Sequence, residues 1–202
     1  MAQPLKSLTF PGGRPWPAQG KWTYADYLRL PDDGRRYEVI RGALYVTAAP
    51  FFGHQFVIWR LSQTFGRFVD DKGLGIVLTA PFDVLLPNGI ATPIQPDLVF
   101  LRTGNHPSFG DKNFQGIPDL VIEVESPTTR KRDRTVKQDA YREAGVPEYW
   151  RVEPLSRRVT VLVLDGDRTR YVEAGCYESG KTLRSAILPE FQVLVDSLFP
   201  PA

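Results

Sequence analysis

The feature that most constrains this chain is a short apolar segment that carries two carboxylates. Residues 118–126 read Pro-Asp-Leu-Val-Ile-Glu-Val-Glu-Ser and are followed by Pro127. The aliphatic residues predict a buried central strand. Because side chains alternate along a strand, Glu123 and Glu125 share one face, roughly 7 Å apart, and Asp119 shares it with them. Buried carboxylates are costly unless a positive charge meets them, so we expect a metal ion or a basic cluster beside this strand.

Two further acids lie among apolar neighbours in segments that we predict to be strands. Asp97 follows Gln95-Pro96 and begins a predicted strand over 97–101, and Glu38 lies in a predicted hairpin over 36–46. Mg²⁺ usually takes one or two carboxylates and completes its shell with water and phosphate oxygens. Asp97, Glu123 and Glu38 are therefore candidates for a catalytic set, with Mg²⁺ or Mn²⁺ as the expected cofactor.

The helix predicted after the acidic strand begins with a basic run, Arg130-Lys131-Arg132-Asp133-Arg134. Residues 128–170 hold 11 basic and 7 acidic side chains. Such a run is typical of a solvated helix end or of a surface that contacts phosphates. The second interpretation makes Arg130, Lys131, Arg132 and Arg134 candidates for binding DNA. Lys137 on the same helix is a candidate amine that would orient an attacking water molecule or stabilise phosphoryl charge.

Periodicity and turn residues predict an α/β sandwich built on a mixed sheet. Residues 1–22, rich in proline and glycine, form an irregular arm, and 23–202 form a single domain. Predicted helices span 24–30, 54–70 and 131–144. Predicted strands span 37–40, 43–46, 75–79, 82–86, 97–101, 118–126, 148–152, 159–164 and 168–172, with an apolar segment over 187–199 and loops over 87–96 and 102–116. In the last helix the inward stripe is Val136, Ala140 and Ala144, and an edge stripe is Asp133, Lys137 and Tyr141.

The composition excludes several classes of protein. With 202 residues, 42% hydrophobic and 24% charged, this is an ordinary globular chain. The one cysteine, Cys176, excludes an internal disulfide and fits a reducing compartment. No segment approaches the roughly 20 apolar residues of a membrane-spanning helix, and residues 1–19 contain no apolar core of signal-peptide length. We therefore expect a cytoplasmic protein without membrane contact.

The order of these motifs resembles that of a known nuclease superfamily. Gln95-Pro96-Asp97, followed 26 residues later by the segment Glu123-Val124-Glu125, is similar to the PD-(D/E)xK signature. Flanking blocks resemble the Uma-type family of restriction endonucleases over most of the chain, from residue 23 to 199. Those blocks are 36–42, His54 at a helix start, 121–127, the series Asp133-x-x-x-Lys137-x-x-x-Tyr141, and 145–150.

The resemblance implies a restriction-endonuclease-like core, a divalent metal at Asp97 and Glu123, and Glu38 as a further acid. Gln95, His54 and Tyr141 are associated site residues by the same resemblance. The sequence departs from the superfamily pattern at one position, because Glu125 stands where the motif lysine belongs. Lys137 then supplies the amine from the next helix, as in members whose lysine has migrated. Glu125 becomes a third carboxylate near the metal, or a ligand of a second ion.

Each of these residues also has a purely structural interpretation. Asp97, directly after Pro96, also fits the capping residue of a turn, and His54 fits an ordinary residue at the start of a helix. Glu123 and Glu125 fit a buried ion network with Arg130 or Arg132. Lys137 fits an i,i+4 partner of Asp133.

Three classes of function remain open at this level. The leading hypothesis is metal-dependent hydrolysis of phosphodiester bonds in DNA. A nucleic-acid-binding protein on a nuclease scaffold without turnover is the alternative that Glu125 favours. A glycosidase needs two carboxyls facing an open sugar cleft, which two acids on one central strand serve poorly. Trp16, Trp22, Phe51 and Phe52 fall in predicted loops or in the arm, so we expect them to be exposed and to support a homodimer.

Overall fold

The computed structural model describes residues 15–47, 50–105, 113–127 and 129–201. Its helices are α1 (Tyr24–Tyr27), α2 (Phe52–Asp71) and α3, which runs continuously through α-helical Arg130–Arg132, π-helical Asp133–Lys137 and α-helical Gln138–Ala144. All three were predicted, but α1 is shorter than expected, since Pro31 disfavours helical backbone at the residue before it. Among the described residues no helix is both long and apolar enough to cross a membrane.

The strands include most of those predicted and several that were not. They are β1 (Arg36–Ile40), β2 (Ala43–Thr47), β3 (Gly75–Thr79), β4 (Asp83–Leu86), β5 (Ala91–Ile94), β6 (Leu98–Arg102), β7 (Asn113–Gln115), β8 (Leu120–Val124), β9 (Glu148–Glu153), β10 (Arg158–Leu164), β11 (Tyr171–Tyr177), β12 (Thr182–Arg184) and β13 (Gln192–Leu194). The predicted loops 87–96 and 102–116 contain β5 and β7, which are short, and β5 also contains a proline that is unusual in a strand interior. β11 starts later than predicted because Asp165 accepts hydrogen bonds from Thr169 and widens the turn.

The strands form two main sheets, whereas the sequence predicts a single mixed sheet. Across the described residues the larger has the order β11-β10-β9-β8-β6-β3, and the smaller has the order β2-β1-β5-β4-β7. The acidic strand β8 lies in the interior of the larger sheet, antiparallel to β6 and parallel to β9. The mixed sheet with flanking helices confirms the predicted α/β class.

The two faces of β8 belong to two different cores. Leu120, Ile122 and Val124 pack in a cluster with the buried face of α2 and with Trp150. Val121, on the other face, packs with α3 and with residues of the smaller sheet. Glu123 follows Val121 on that second face, so the predicted alternation is confirmed and turns this acid towards α3.

The described end of the N-terminal arm packs on its own chain. Trp22 is buried with Tyr37, Val39 and Leu44, and Trp16 stacks on Trp22 at 5.3 Å between ring centroids. The expectation that Trp22 is exposed is therefore wrong, because its indole completes the small core over β1 and β2. Phe51 and Phe52 are exposed as expected. The homodimer stays a prediction, and the part of the arm before residue 15 lies outside the described residues.

Candidate active site

Two carboxylates from neighbouring strands oppose each other at one end of the larger sheet. β6 and β8 place Leu98 opposite Ile122, and the next pair in the same register is Asp97 opposite Glu123. Both side chains are almost completely buried, with relative exposures of 4% and 2%. Together with Glu38 they line a cavity of about 360 Å³. Three acids predicted from three separate segments thus lie around one cavity.

Helix α3 brings a lysine to these acids. Lys137 Nζ lies 2.7 Å from Glu123 Oε1 and 2.9 Å from Glu38 Oε1. Tyr141 OH donates a hydrogen bond of 2.5 Å to the same Glu123 oxygen. Asp133, Lys137 and Tyr141, the predicted edge stripe of this helix, are all buried, and the stripe faces the cavity and the sheet. The π-helical segment 133–137 widens the helix at this point, as π-bulges often do at functional sites.

Asp97 is held by three donors from three elements. Arg36 Nη1 lies 3.0 Å from Oδ1, while His54 Nε2 and the backbone N–H of Val124 lie 3.1 and 2.9 Å from Oδ2. Burial alone would raise the pKa of Asp97, but the His54 contact, the Lys137 charge and the Val124 N–H together lower it to about 2. Asp97 is therefore ionised at neutral pH. Its bond to Val124 also joins β6 to β8.

Glu123 has the opposite electrostatic character. Burial raises its pKa to about 8, and the charges of Asp97, Asp133 and Glu38 add to this, while the Lys137 charge opposes it. For Lys137, burial lowers the pKa, but Glu123, Glu38 and Asp133 raise it above its ordinary value. Lys137 therefore stays protonated at neutral pH. The two carboxylates that oppose each other across β6 and β8 thus have pKa values displaced in opposite directions.

Asp133 is a fourth buried acid on the cavity wall, and the prediction from sequence gave it no site role. Its Oδ1 has no hydrogen-bond partner among the described residues, and the nearest cation, Arg132 Nε, is 3.9 Å away. Burial raises the pKa of Asp133 to about 6, against the opposing charge of Lys137. The four-residue spacing from Asp133 to Lys137 to Tyr141 was the signal that could have identified it. Arg36, a second omission, precedes Glu38 by two residues and so shares its strand face.

The basic run does not form one surface. Arg132 turns into the cavity, where its Nη2 lies 2.7 Å from Thr47 Oγ1 and 3.5 Å from Glu38 Oε2. Arg130 and Arg134 instead pair with Glu125 and Glu153, and Lys131 is exposed. Of the four candidates for phosphate contact, Arg132 alone lines the cavity.

Glu125 is turned away from the other acids. Arg134 Nε and Nη2 lie 2.6 and 2.9 Å from its two oxygens, and Arg130 Nε lies 3.3 Å from Oε2. Glu153 from β9 joins the same network through both arginines, at 3.2 and 2.8 Å. The structure therefore places Glu125 in an ion network, as its structural interpretation predicts, with Arg130 and with Arg134 in place of Arg132, and it does not line the cavity. Its carboxylate ties the end of β8 to the start of α3.

Gln95 connects the site to the smaller sheet and to α1. Its backbone N–H donates to Glu38 Oε1 at 2.9 Å, and its side-chain amide donates to Asp83 Oδ1 at 2.7 Å and to Tyr27 OH at 3.2 Å. Its backbone carbonyl lies 3.5 Å from Lys137 Nζ. Gln95 therefore fixes Glu38 and helps to enclose Lys137.

The donor atoms of the cavity suit a hard divalent cation. Asp97 and Glu123 present oxygen ligands from opposing strand positions, and Glu38 Oε2 is a buried acceptor without a hydrogen bond in the described part of the chain. Mg²⁺ and Mn²⁺ prefer such carboxylate oxygens. Within the described ranges, however, no three His, Cys, Asp or Glu side chains stand in a ready-made metal-binding geometry. Both hydrogen bonds to Glu123 end on Oε1, from Lys137 and Tyr141, so a cation would use its other oxygen or displace Lys137.

The mixed sheets and flanking helices, with an acid on the central strand and another opposite it, define a restriction-endonuclease-like fold. A crystal structure of a "putative nuclease belonging to DUF820" from Anabaena variabilis is similar to this chain, with a TM-score of 0.72 at 17% sequence identity over 88% of this chain and 97% of the other. The chain belongs to the Uma2 family, described as "Putative restriction endonuclease", which matches residues 24–196. No curated protein matches it significantly.

Proposed function

We propose that this protein is an endonuclease that hydrolyses phosphodiester bonds in DNA with Mg²⁺ or Mn²⁺ as cofactor. The observation that carries the proposal is the position of Lys137, whose ammonium group bridges Glu123 and Glu38 directly beside Asp97. A buried cation among buried acids, at the wall of a cavity, is a suitable arrangement for stabilising charge on a phosphoryl group. The family to which the chain belongs supports the same function.

The proposed role of each side chain follows from its protonation state at neutral pH. Asp97 and Glu123 are the proposed ligands, and a divalent ion there would polarise the phosphoryl oxygen and lower the pKa of a bound water molecule. Lys137, whose pKa is raised, remains an ammonium group and acts through its charge and its N–H donors, not as a base. Asp133, with a pKa of about 6, is the cavity acid best suited to accept a proton from the attacking water near neutral pH.

Two cations are available for the phosphates of the substrate. Arg132 lines the cavity with a guanidinium group that matches phosphate oxygens in geometry. Arg36 lines it as well, although its Nη1 is engaged by Asp97. Lys131, exposed on the same helix, is a proposed contact for a neighbouring phosphate.

The test combines cleavage with metal binding. Supercoiled plasmid and linear DNA are incubated with Mg²⁺ or Mn²⁺ and wild-type protein, Asp97→Asn, Lys137→Ala and the exposed control Lys181→Ala. We expect nicking by wild type and by the control, and none by the other two. Metal should raise the melting temperature of wild type and of Lys137→Ala, because ligand binding stabilises the folded state, and should have little effect on Asp97→Asn. An equal rise in all four proteins would exclude Asp97 as a ligand.

A catalytically inactive DNA-binding protein is the second candidate, and one observation favours it. Asp97 and Glu123 already have partners from the protein, namely Arg36 and His54 for Asp97 and Lys137 for Glu123, so these two carboxylates are held without a metal. Wild type that binds DNA, shows no thermal response to either metal and never nicks DNA would establish this candidate. Restoring the motif by Glu125→Lys would not switch cleavage on, because the new ammonium group would meet Arg130 and Arg134 and not the cavity.

A further inference from the structure

Three aromatic side chains form a ridge along the outward face of α2, a helix that begins directly after the cavity-lining residue Phe51. Phe52, Phe56 and Trp59 follow one another along the first two turns of α2, with ring centroids 6.0 and 5.6 Å apart. Phe52 is 75% exposed and Trp59 is 49% exposed. Phe51, the residue directly before the helix, lines the cavity itself. The ridge therefore begins at the residue next to the wall of the candidate active site, and its three rings lie outside the cavity.

Gly53 lies between the cavity-lining Phe51 and the rest of the first turn of α2. A Cβ atom at Gly53 would lie 3.1 Å from the Phe51 ring, while its distance of 3.9 Å to Pro154 Cβ is an ordinary contact. Glycine therefore lets the Phe51 ring lie close against the start of α2, with the turn after β9 next to it. Leu155, the next residue of that turn, is exposed and also lines the cavity. The entrance to the site is apolar on this side.

The charge around the ridge favours a polyanion as its partner. No acidic residue occurs from Phe51 to Val69, and the N-cap residue Phe51 has no side-chain acceptor to neutralise the helix end. The partial positive charge of the helix N-terminus is therefore uncompensated by its own first turn. The Arg60 guanidinium lies 5.5 Å from the centre of the Trp59 ring and adds a cation beside the aromatic surface.

We propose that Phe52, Phe56 and Trp59 stack on unpaired nucleobases of the strand whose phosphate enters the cavity. The substrate class is then single-stranded or locally unpaired nucleic acid. Proteins that bind such strands combine aromatic stacking surfaces with positive charge, which is the combination found at this entrance. The inference rests on the proposed function for the position of the phosphate.

A second copy of this chain is a less suitable partner for the ridge. In a symmetric dimer the same surface meets itself. Ridge-to-ridge contact would bring together two positively polarised helix ends and two Arg60 side chains, which repel each other. A nucleic-acid strand instead offers bases to the rings and phosphates to the positive end of α2.

Binding to labelled oligonucleotides tests the proposal. Anisotropy titrations in EDTA, which prevents metal-dependent cleavage, compare one sequence as a single strand, as a full duplex and as a duplex with a central unpaired segment. The proteins are wild type, Phe52→Ala, Trp59→Ala, Trp59→Phe and the control Val172→Ala, which removes an exposed apolar side chain of β11. Light scattering on each protein reports its oligomeric state.

We expect Phe52→Ala and Trp59→Ala each to weaken binding of unpaired DNA about 5- to 100-fold, the range of one lost base–aromatic stack. Trp59→Phe should retain most of the affinity because its ring still stacks, and Val172→Ala should match wild type. The slope of affinity against salt should stay unchanged in both alanine variants, because stacking releases no counterions. Full-duplex affinity should change about twofold or less.

Equal losses on paired and unpaired DNA, or none, would overturn the stacking proposal. So would a fall in oligomer mass in Phe52→Ala or Trp59→Ala without a change in affinity, which would identify the ridge as a dimer contact. Wild type that fails to bind any oligonucleotide would also overturn it. If unpaired DNA binds through Trp59 but no metal supports cleavage, the proposed catalysis fails while the stacking surface stands. If cleavage occurs and the ridge variants behave like wild type, the stacking proposal fails while the proposed catalysis stands.

Discussion

Replacing Asp133 by asparagine should make this protein relatively more stable as the pH rises. Burial raises the pKa of Asp133 from 3.8 to about 6. Because the folded-state pKa lies above the unfolded one, the unfolded chain releases this proton first as pH increases. The stabilising contribution of the protonated carboxyl group is therefore fully present below about pH 4 and is lost as the pH rises through 6. Above that pH the wild-type protein is less stable than it is at pH 4 by the whole of this contribution. Asparagine has no proton to release and is free of this effect.

The size of the effect follows from the two pKa values. Each pH unit between them is worth ~1.4 kcal/mol, so the full contribution of Asp133 above pH 8 is roughly 3 kcal/mol. About half of this contribution is already lost at pH 5, so the free energy of unfolding should fall by roughly 1.4 kcal/mol more between pH 5 and pH 8. For a chain of this length, 1 kcal/mol shifts the melting temperature by about 2–4 °C. The difference in melting temperature between Asp133→Asn and wild type should therefore move in favour of the variant by about 3–6 °C over this range.

Thermal unfolding followed by circular dichroism at four pH values, at constant ionic strength and with EDTA, measures this difference. Asp139→Asn is the matched control, since Asp139 lies on the same helix but is exposed and pairs with Arg142 at 3.6 Å. Its difference from wild type should not depend on pH in this range. A difference between Asp133→Asn and wild type that stays constant, or that turns against the variant as pH rises, would refute the reasoning. It would mean that Arg132 and Lys137 hold the Asp133 carboxylate ionised despite its burial.

Three further substitutions test other parts of the site and its support. Glu125→Gln should lower stability by about 2 kcal/mol in urea unfolding, because it removes the buried charge that pairs with Arg130 and Arg134, while Glu153 and solvent still compensate both arginines and keep the cost below that of a fully broken buried pair. Tyr141→Phe should cost about 0.5–1.5 kcal/mol at neutral pH, the worth of a hydrogen bond to an uncharged group, because burial raises the pKa of Glu123 to about 8; a loss of about 3 kcal/mol would mean that Glu123 is ionised there. Glu148→Gln should also destabilise the protein, because an amide has a single acceptor oxygen and its NH2 group would face either the Trp150 indole N–H or the backbone N–H groups of Ala186 and Ile187, but the thermal response to metal should persist because Glu148 lies outside the cavity.

Much of the fold could be predicted because its signals are local. The apolar spacing of α2, the turn residues of the first hairpin and the alternation along β8 each follow from a few adjacent residues. β5 could not be predicted, since Pro93 is typical of a loop and its strand conformation depends on β1 and β4. Trp22 was assigned to an exposed position for the same reason, because the core that buries it comes from a hairpin about twenty residues later.

The candidate site, like the fold, could be predicted where its signals are local and not where they depend on distant parts of the chain. That Asp97 and Glu123 meet could be predicted from two strands and a motif, and the register of β6 against β8 brings them opposite each other. The roles of the charged residues in α3 could not, because side-chain direction depends on the π-helical segment between Asp133 and Lys137. The four-residue spacing from Asp133 to Lys137 to Tyr141 marks one face of the helix, but within the run 130–134 it does not indicate that Arg132 enters the cavity while Arg130 and Arg134 pair with acids.

Glu125 and Lys137 are best understood as one linked feature of the chain. A lysine two residues after Glu123 would leave the strand at the point where the chain now places a carboxylate against Arg134. That carboxylate holds α3 through a residue one turn before Lys137, and so determines where the Lys137 ammonium lies. An acid at the motif position therefore does not remove the amine from the site. We propose that it anchors, through Arg134, the helix that places the Lys137 ammonium between Glu123 and Glu38.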